Sequence, residues 1–335
     1  MTRLSVALAT HNGERFLREQ LDSLARQTLT PNELVVQDDA STDATLAVLE
    51  DFARASPFPV RIASNESRLG FSTTFLVAAS RCEGDAIAFC DQDDVWLEHK
   101  LERCRDALAG SEVLLAMHAS RVVDEALAPT GLIYPRYGSD AVVPRLGGDP
   151  WAAVRGMSMV FGADLIRVGE WQARPRSHCV DGPMHHDEWI YLLGRALGRI
   201  ALIGEPLALY RQHGANVAGA AGGLRRRLHE ATTTGWTYYE KRRDQALDVT
   251  ALFRGLAEET ADPDVRDRFT EAAEHHAELA QRLDPRLAVY EPGVGARERA
   301  ARLARLARSG AYARRGFGPA ALARDALMIA LRRHG

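Results

Sequence analysis

The 335-residue sequence lacks long apolar runs. Its first such run, Leu4 to Ala9, covers six residues, too few for the hydrophobic core of a secretory signal. No stretch approaches the roughly 18 apolar residues that suggest a membrane-spanning helix. Cysteine is scarce too. Cys82, Cys90, Cys104 and Cys179 form no CxxC pair and have no zinc-ligand spacing. We therefore expect reduced thiols in a cytosolic protein, in which the sequon Asn65-Glu66-Ser67 is fortuitous. No GxGxxG follows the first apolar run, which argues against a dinucleotide-binding dehydrogenase, and no GxxxxGK[ST] marks a P-loop. The glycines of "GVGAR" (293–297) have no strand before them. A net charge of -3 gives no reason to expect a nucleic-acid partner.

What is present is an alternation. "LSVALA" (4–9), "ELVVQ" (33–37), "FPVRIA" (58–63) and "DAIAFC" (85–90) read as strands. Between them, Phe16, Leu17, Leu21 and Leu24, then Leu46, Leu49 and Phe52, recur at helical spacing, and 72–81 also looks helical. Strand–helix–strand repetition predicts a parallel α/β sheet with right-handed crossovers. Ligands bind such sheets beyond the C-terminal strand ends. The polar clusters at 10–14, 38–43, 65–70 and 91–94 all fall there. "VLLAMHAS", "MSMVFG" and "RIALIG" predict further strands between 105 and 220. From about 224 onward the composition is Ala-, Arg-, Leu- and Glu-rich with helical periodicity, and 224–290 reads as a helical hairpin or bundle that offers a dimer interface.

The densest chemistry lies in "FCDQDDVW" (89–96). Asp91, Asp93 and Asp94 follow directly on an apolar strand. Crowded carboxylates raise one another's pKa. A hard divalent cation, Mg2+ or Mn2+, relieves that repulsion and completes its shell with phosphate oxygens and water. A solvated acidic turn is the plainer alternative. For Asp38 and Asp39 in "DDAST", the plainer alternative is a cap for the helix starting near Asp43.

Four stretches, "ATHNGERFLREQLDSL", "VVQDDASTDAT", "NESRLGF" and "AFCDQDDVWLEHKL", resemble in order and spacing the N-terminal half of inverting family 2 glycosyltransferases with the GT-A fold. The rhamnosyltransferase-type subgroup is the most similar. The likeness continues more weakly through "VRGMSMVF" and "HHDEW" to "LYRQHGANVAG", covering about residues 4–220. It implies a metal-dependent enzyme that moves a sugar from a nucleoside diphosphate donor, with dTDP-rhamnose favoured and UDP-sugars second. The acceptor would be a hydroxyl of a saccharide or lipid-linked glycan in surface polysaccharide synthesis. It further implies that Thr10, Asn12, Glu14, Asp38, Asp39 and Arg68 bind the nucleotide, with Ala40 where the family more often has Gly. Asp91 and Asp93 match the family's DxD pair, which holds donor ribose and metal. His213 matches a late metal or diphosphate ligand, beside Arg211 as a phosphate contact. Asp187, in "HHDEWIYLL", matches the general base. Glu188 is its neighbour, pointing about 100° away on a helix, and a simple N-cap is the plainer role for Asp187. Gly156 to Phe161 would line the acceptor site.

The expected organisation is a transferase domain at 1–222, divided into nucleotide-sugar binding at 1–105 and the acceptor side with the base at 106–222. A helical region follows at 223–335. Within it, residues 297–335 carry ten arginines against Glu298 and Asp325, interleaved with Leu303, Leu306, Tyr312 and Phe317. Such a helix can lie on an anionic membrane or pack on its own protein. Two other readings are a sugar nucleotidyltransferase and a non-catalytic nucleotide-sugar-binding module. The first should carry a GGxGTR-like loop where this chain has "THNGER", and the second should have lost its acids.

Overall fold

The structure is a computed structural model that describes residues 2–214, 236–313 and 319–331. It divides into two compact units: residues 1–174 with 184–220, and residues 175–183 with 221–335.

The first unit is built on one mixed sheet of order β3-β2-β1-β4-β9-β6-β10-β5. β1 (Leu4–Thr10), β2 (Glu33–Asp38), β3 (Val60–Ser64) and β4 (Ala86–Cys90) are parallel. β1, β2 and β4 are buried along their whole length, which is why they read as unbroken apolar runs rather than alternating ones. α1 (Leu17–Ala25), α2 (Thr45–Ala55) and α3 (Phe71–Ser80) are the crossovers. Leu17, Leu21 and Leu24, with Leu49 and Phe52, fill the core beneath the strands.

Beyond β4 the sheet is no longer a simple parallel array. The two-residue β5 (Val95–Trp96) leads into α4 (Lys100–Leu108) and the long β6 (Val113–Val123). β7 (Pro129–Ile133) and β8 (Ala141–Val143) branch from the main path. β9 (Met159–Gly162) runs antiparallel between β4 and β6. The short α5 (Asp164–Arg167) and α6 (His186–Leu197) lead to β10 (Arg199–Arg211), which is parallel to β6. These directions bring the C-terminal ends of β1, β2, β4, β6 and β10 to one edge, together with the start of β9.

In the second unit α7 (Trp236–Glu259) and α8 (Pro263–Tyr290) pack along each other, followed by α9 (Ala296–Arg308) and α10 (Pro319–Leu331). Asp262 caps α8 by accepting from the Asp264 and Val265 amides, with Pro263 in the first turn. Asp325 of α10 is fully buried. It accepts from the hydroxyls of Tyr239, Tyr290 and Tyr312 and from both Nε and Nη2 of Arg286. Leu303, Leu306 and Tyr312 are also buried, so these three of the apolar residues interleaved with the arginines belong to this unit's own core. Arg314, Arg315, Phe317, Arg332 and Arg333, the side chain of Arg324, and residues 215–219 of the "LYRQHGANVAG" segment lie outside what is described.

Candidate functional site

The first two loops are tied to each other. Thr10 donates to Asp38 Oδ1 at 2.8 Å, and Asp38 also accepts from the Ser41 amide and hydroxyl. The Asn12 amide donates to Ser41 Oγ, and Asn12 Oδ1 accepts from the Thr42 amide. Glu14 reaches across to accept the Ala44 amide, while Asp43 accepts from Thr45. The acceptors at the start of α2 are therefore Glu14 and Asp43, not Asp38 or Asp39. Asp39 serves a third loop: it accepts from the Asn65 side chain and the Leu69 and Gly70 amides. Burial alone would raise the Asp39 pKa, but these hydrogen bonds outweigh it and hold the carboxylate below its usual value. Ala40 adopts a φ of 57°, the left-handed region that glycine tolerates best. Arg68 is exposed on the loop that Asp39 anchors.

Gln92 joins this region to the acidic turn. It accepts the His11 amide at 2.8 Å and donates to the His11 carbonyl. Its side chain lies so close to Gly13 that a Cβ there would sit 2.3 Å from Gln92 Oε1. Only glycine fits without displacing the clasp.

The acidic turn itself is different in kind. Burial, then the neighbouring charges of Asp93 and Asp187, push the Asp91 carboxyl up to about 7. Asp94 is turned into the interior. Its Oδ1 accepts the Arg211 amide, its Oδ2 is buried with no hydrogen-bond partner, and burial raises its pKa well above the usual range. The three acids therefore do not face one point. Asp93 instead pairs with His213, whose Nε2 lies 2.8 Å from Asp93 Oδ2. Two ligands on one octahedral ion sit about 3 Å apart, so the Asp93–His213 pair is spaced for a divalent cation.

Arg211 takes a place other than the phosphate contact the sequence suggested. It is 1% exposed. Its guanidinium donates to the carbonyls of Asp93 and Glu125 and to the Glu19 carboxylate, and it lies 4.6 Å from the centre of the Phe16 ring. It buttresses the acidic turn from behind.

Asp187 lies in the first turn of α6. His185 is the N-cap, and its amide donates to the Glu188 carboxylate in a capping box. Glu188 is thereby engaged as a cap, whereas Asp187 accepts from the Glu188 amide through Oδ1. Burial raises the Asp187 pKa. The adjacent His186 meets Phe89 of β4 edge-on at 4.8 Å, and the Asp187 charge raises the pKa of Asp91, so the start of α6 and the acidic turn lie at the same strand end although 96 residues separate Asp91 from Asp187.

Sequence reasoning missed three contributors. Lys100 is fully buried on α4. Its Nζ donates to the Met157 carbonyl at 2.7 Å and lies 3.5 Å from the centre of the Trp96 ring, and burial lowers its pKa to about 8. His186, 4% exposed, stacks on Phe75 at 4.2 Å and meets Phe89 edge-on. Burial first, then nearby positive charge, drives its pKa well down, leaving it neutral. Arg155, in the turn before β9, lowers the pKa values of both Asp91 and Asp187. In the sequence Lys100 looks like a solvated helix residue and Arg155 like a loop arginine. The signal the sequence did hold is that all three fall inside the stretches "AFCDQDDVWLEHKL", "VRGMSMVF" and "HHDEW" that carry the family resemblance; the structure adds that a Cβ on Gly156 would sit 2.3 Å from His186 Nε2.

The profile of "Glycosyl transferase family 2" matches residues 5–144. A dTDP-rhamnosyl transferase, RfbG, of Shigella flexneri is 26% identical, covering 76% of this chain and 86% of that protein. An uncharacterized glycosyltransferase of Nostoc sp. is 28% identical over 64% of this chain and 66% of its own length. Uncharacterized mycobacterial proteins are 26% identical over 69% of the chain, which spans 65% of their length. Among solved structures, residues 1–349 of S. aureus TarS superpose with a TM-score of 0.55 at 17% identity, covering 92% of this chain and 87% of that one. That likeness concerns the fold. The same TarS fragment has also been solved in complex with UDP-GlcNAc.

Proposed function

We propose that this chain, whose residues 5–144 match family 2 glycosyltransferases, is such an enzyme and carries out an inverting, metal-dependent transfer from a nucleoside diphosphate sugar to an acceptor hydroxyl. The observation that carries the reading is the meeting of Asp91 and Asp187 across one site, both carboxyls raised by burial. Asp187 takes the proton from the acceptor hydroxyl. The acceptor oxygen bonds to the anomeric carbon as the bond from that carbon to the diphosphate breaks on the opposite face. A raised pKa suits a general base, because it brings basicity nearer the working pH. Asp91, Asp93 and His213 would hold Mn2+ or Mg2+, which when bound would supply positive charge to offset that of the departing diphosphate. Thr10, Asn12, Glu14, Asp38 and Asp39 shape the nucleotide side mainly through the loops they fasten, with exposed Arg68 at its rim.

For the donor, dTDP-rhamnose is favoured and UDP-sugars come second, in keeping with what RfbG is called. A saccharide or lipid-linked glycan is the proposed acceptor. No helix among the described residues is long and apolar enough to cross a membrane. With Leu303 and Leu306 buried, contact with an anionic membrane would be electrostatic, through exposed Arg297, Arg305 and Arg308 of α9.

Calorimetric titration of dTDP and UDP with Mn2+, with Mg2+ and with EDTA, paired with a donor-hydrolysis assay, tests this. The expected result is metal-dependent binding with slow hydrolysis of one donor class. Unchanged affinity in EDTA removes the metal, and binding without hydrolysis or transfer leaves a binding module.

A further inference from the structure

Arg155 has a role the proposed chemistry does not yet use. β4 and β9 are antiparallel with Ala88 opposite Val160, so the turn before β9 lies beyond the C-terminal end of β4, beside the acidic turn. The sheet order sets β1, β2 and their loops on one flank of β4 and β9 with β6 on the other. Arg155 therefore approaches the acidic turn from the β9 side, with β1, β2 and their loops beyond β4.

The turn is held rigidly. Ser158 donates through both its amide and its hydroxyl to the Arg155 carbonyl, at 3.1 and 2.8 Å. Buried Lys100 fixes the Met157 carbonyl from behind, and the His186 ring presses against Gly156, leaving no room for a Cβ. The side chain so presented is half-buried. Its Nη1 donates to the Val154 carbonyl, its Nε is buried without a partner, and Tyr134 lies against it with the ring centre 5.1 Å from Cζ. Among the described residues it forms no ion pair, although Asp91 and Asp187 are near enough to feel its charge. A guanidinium that is partly desolvated, aromatic-backed and still short of hydrogen-bond acceptors is built for a planar or tetrahedral oxyanion.

We propose that Arg155 binds an anionic group of the acceptor, a phosphate or a carboxylate, so that the enzyme glycosylates a negatively charged glycan. This rests on the transferase reading given above and adds the acceptor class to it. The guanidinium would anchor the acceptor beside Asp187 and orient its hydroxyl toward the base.

The test uses the full chain, wild type and Arg155→Gln, titrated with glucose 6-phosphate, glucuronate and neutral glucose, with and without Mg2+ and UDP. The expected result is that wild type binds an anionic probe and not glucose, and that Arg155→Gln weakens this by about 10- to 100-fold. The better of the two anionic probes names the group. UDP and dTDP affinities, measured in the same samples, should be equal in the two proteins. Equal affinity of both proteins for the anionic probes overturns the proposal, as does the absence of anion binding by wild type. Loss of nucleotide affinity in Arg155→Gln also overturns it, by assigning the guanidinium to the donor diphosphate. Failure of wild type to bind either nucleotide with metal is a separate result, which counts against the transferase reading alone. Should Arg155→Gln fail to fold, Arg155→Lys carries the test. It keeps the charge without the fork, and weakened anion binding by a smaller factor is expected.

Discussion

Two groups of aspartates on the same sheet edge behave in opposite ways. Asp39 and Asp43, in the nucleotide loops, are buried enough to be penalised, yet hydrogen bonds from backbone amides and hydroxyls hold both below the usual carboxylate range. Asp91, Asp94 and Asp187 suffer the same penalty with too few donors to offset it, and all three are raised. A carboxylate surrounded by donors is a structural fastener. One left short of donors and crowded by its own kind is held ready for a cation or a proton. The loops held by Asp39 and Asp43 are thus largely self-satisfied, and on the proposed reading the flank of Asp91 and Asp187 is the one that ligands would complete.

Four substitutions press on that contrast. The largest effect is expected at Asp187→Asn, which should lower turnover about 10²- to 10⁴-fold while nucleotide affinity stays within error of wild type. Single-turnover kinetics with calorimetry separates the two. Normal turnover in Asp187→Asn with a collapse in Glu188→Gln would move the base by one residue, against the capping role of Glu188.

A stability pair comes next. Asp39→Ala leaves the Asn65 side chain and two backbone amides without their acceptor, a loss of about 2–4 kcal/mol, visible as a lower urea midpoint at any pH from 5 to 8. Asp91→Asn should do the reverse in metal-free protein. The folded pKa of Asp91, about 7, lies above its unfolded value. The native state therefore binds the extra proton, and the stability that goes with it is complete below the unfolded pKa and lost as pH rises through about 7. The asparagine escapes that loss, so its advantage over wild type should appear near pH 8 and vanish near pH 4. Equal pH dependence of the two proteins would place the titration elsewhere.

The smallest effect is expected at Ala40→Gly, which relieves a left-handed backbone at φ 57° and should stabilise the protein by about 1 kcal/mol. A denaturant melt that shows no gain would mean that the fastened loop carries no strain.

The residues chosen from the sequence at 10–14, 38–39, 91–93, 187 and 213 are gathered at one edge of the sheet. The reason most of them could be seen is local: all but Asp187, which opens α6, follow a strand, and parallel strands deliver their C-terminal loops to the same side. Arg211 illustrates where this fails. A polar residue beside a histidine in a site-bearing loop looks like a ligand, and nothing nearby in sequence announces that Glu19, Glu125 and Phe16 enclose its guanidinium. Asp94 is similar, one residue beyond Asp93 yet facing the opposite way.

The sequence alone determined the alternation of strands and helices, and with it the α/β class. Buried parallel strands and amphipathic helices leave periodicities that survive in any context. It also determined which loops carry charge. The tertiary structure decided which of those charges are spent. The fasteners join segments about 30 residues apart, as Thr10 joins Asp38. The partners of the acidic turn lie farther away still: Arg211 braces Asp93 and His213 pairs with it, and the charges of Arg155 and Asp187 reach Asp91 from much later in the chain. Whether a carboxylate ends up surrounded by donors or by other acids depends on those distant neighbours, and so does its chemistry.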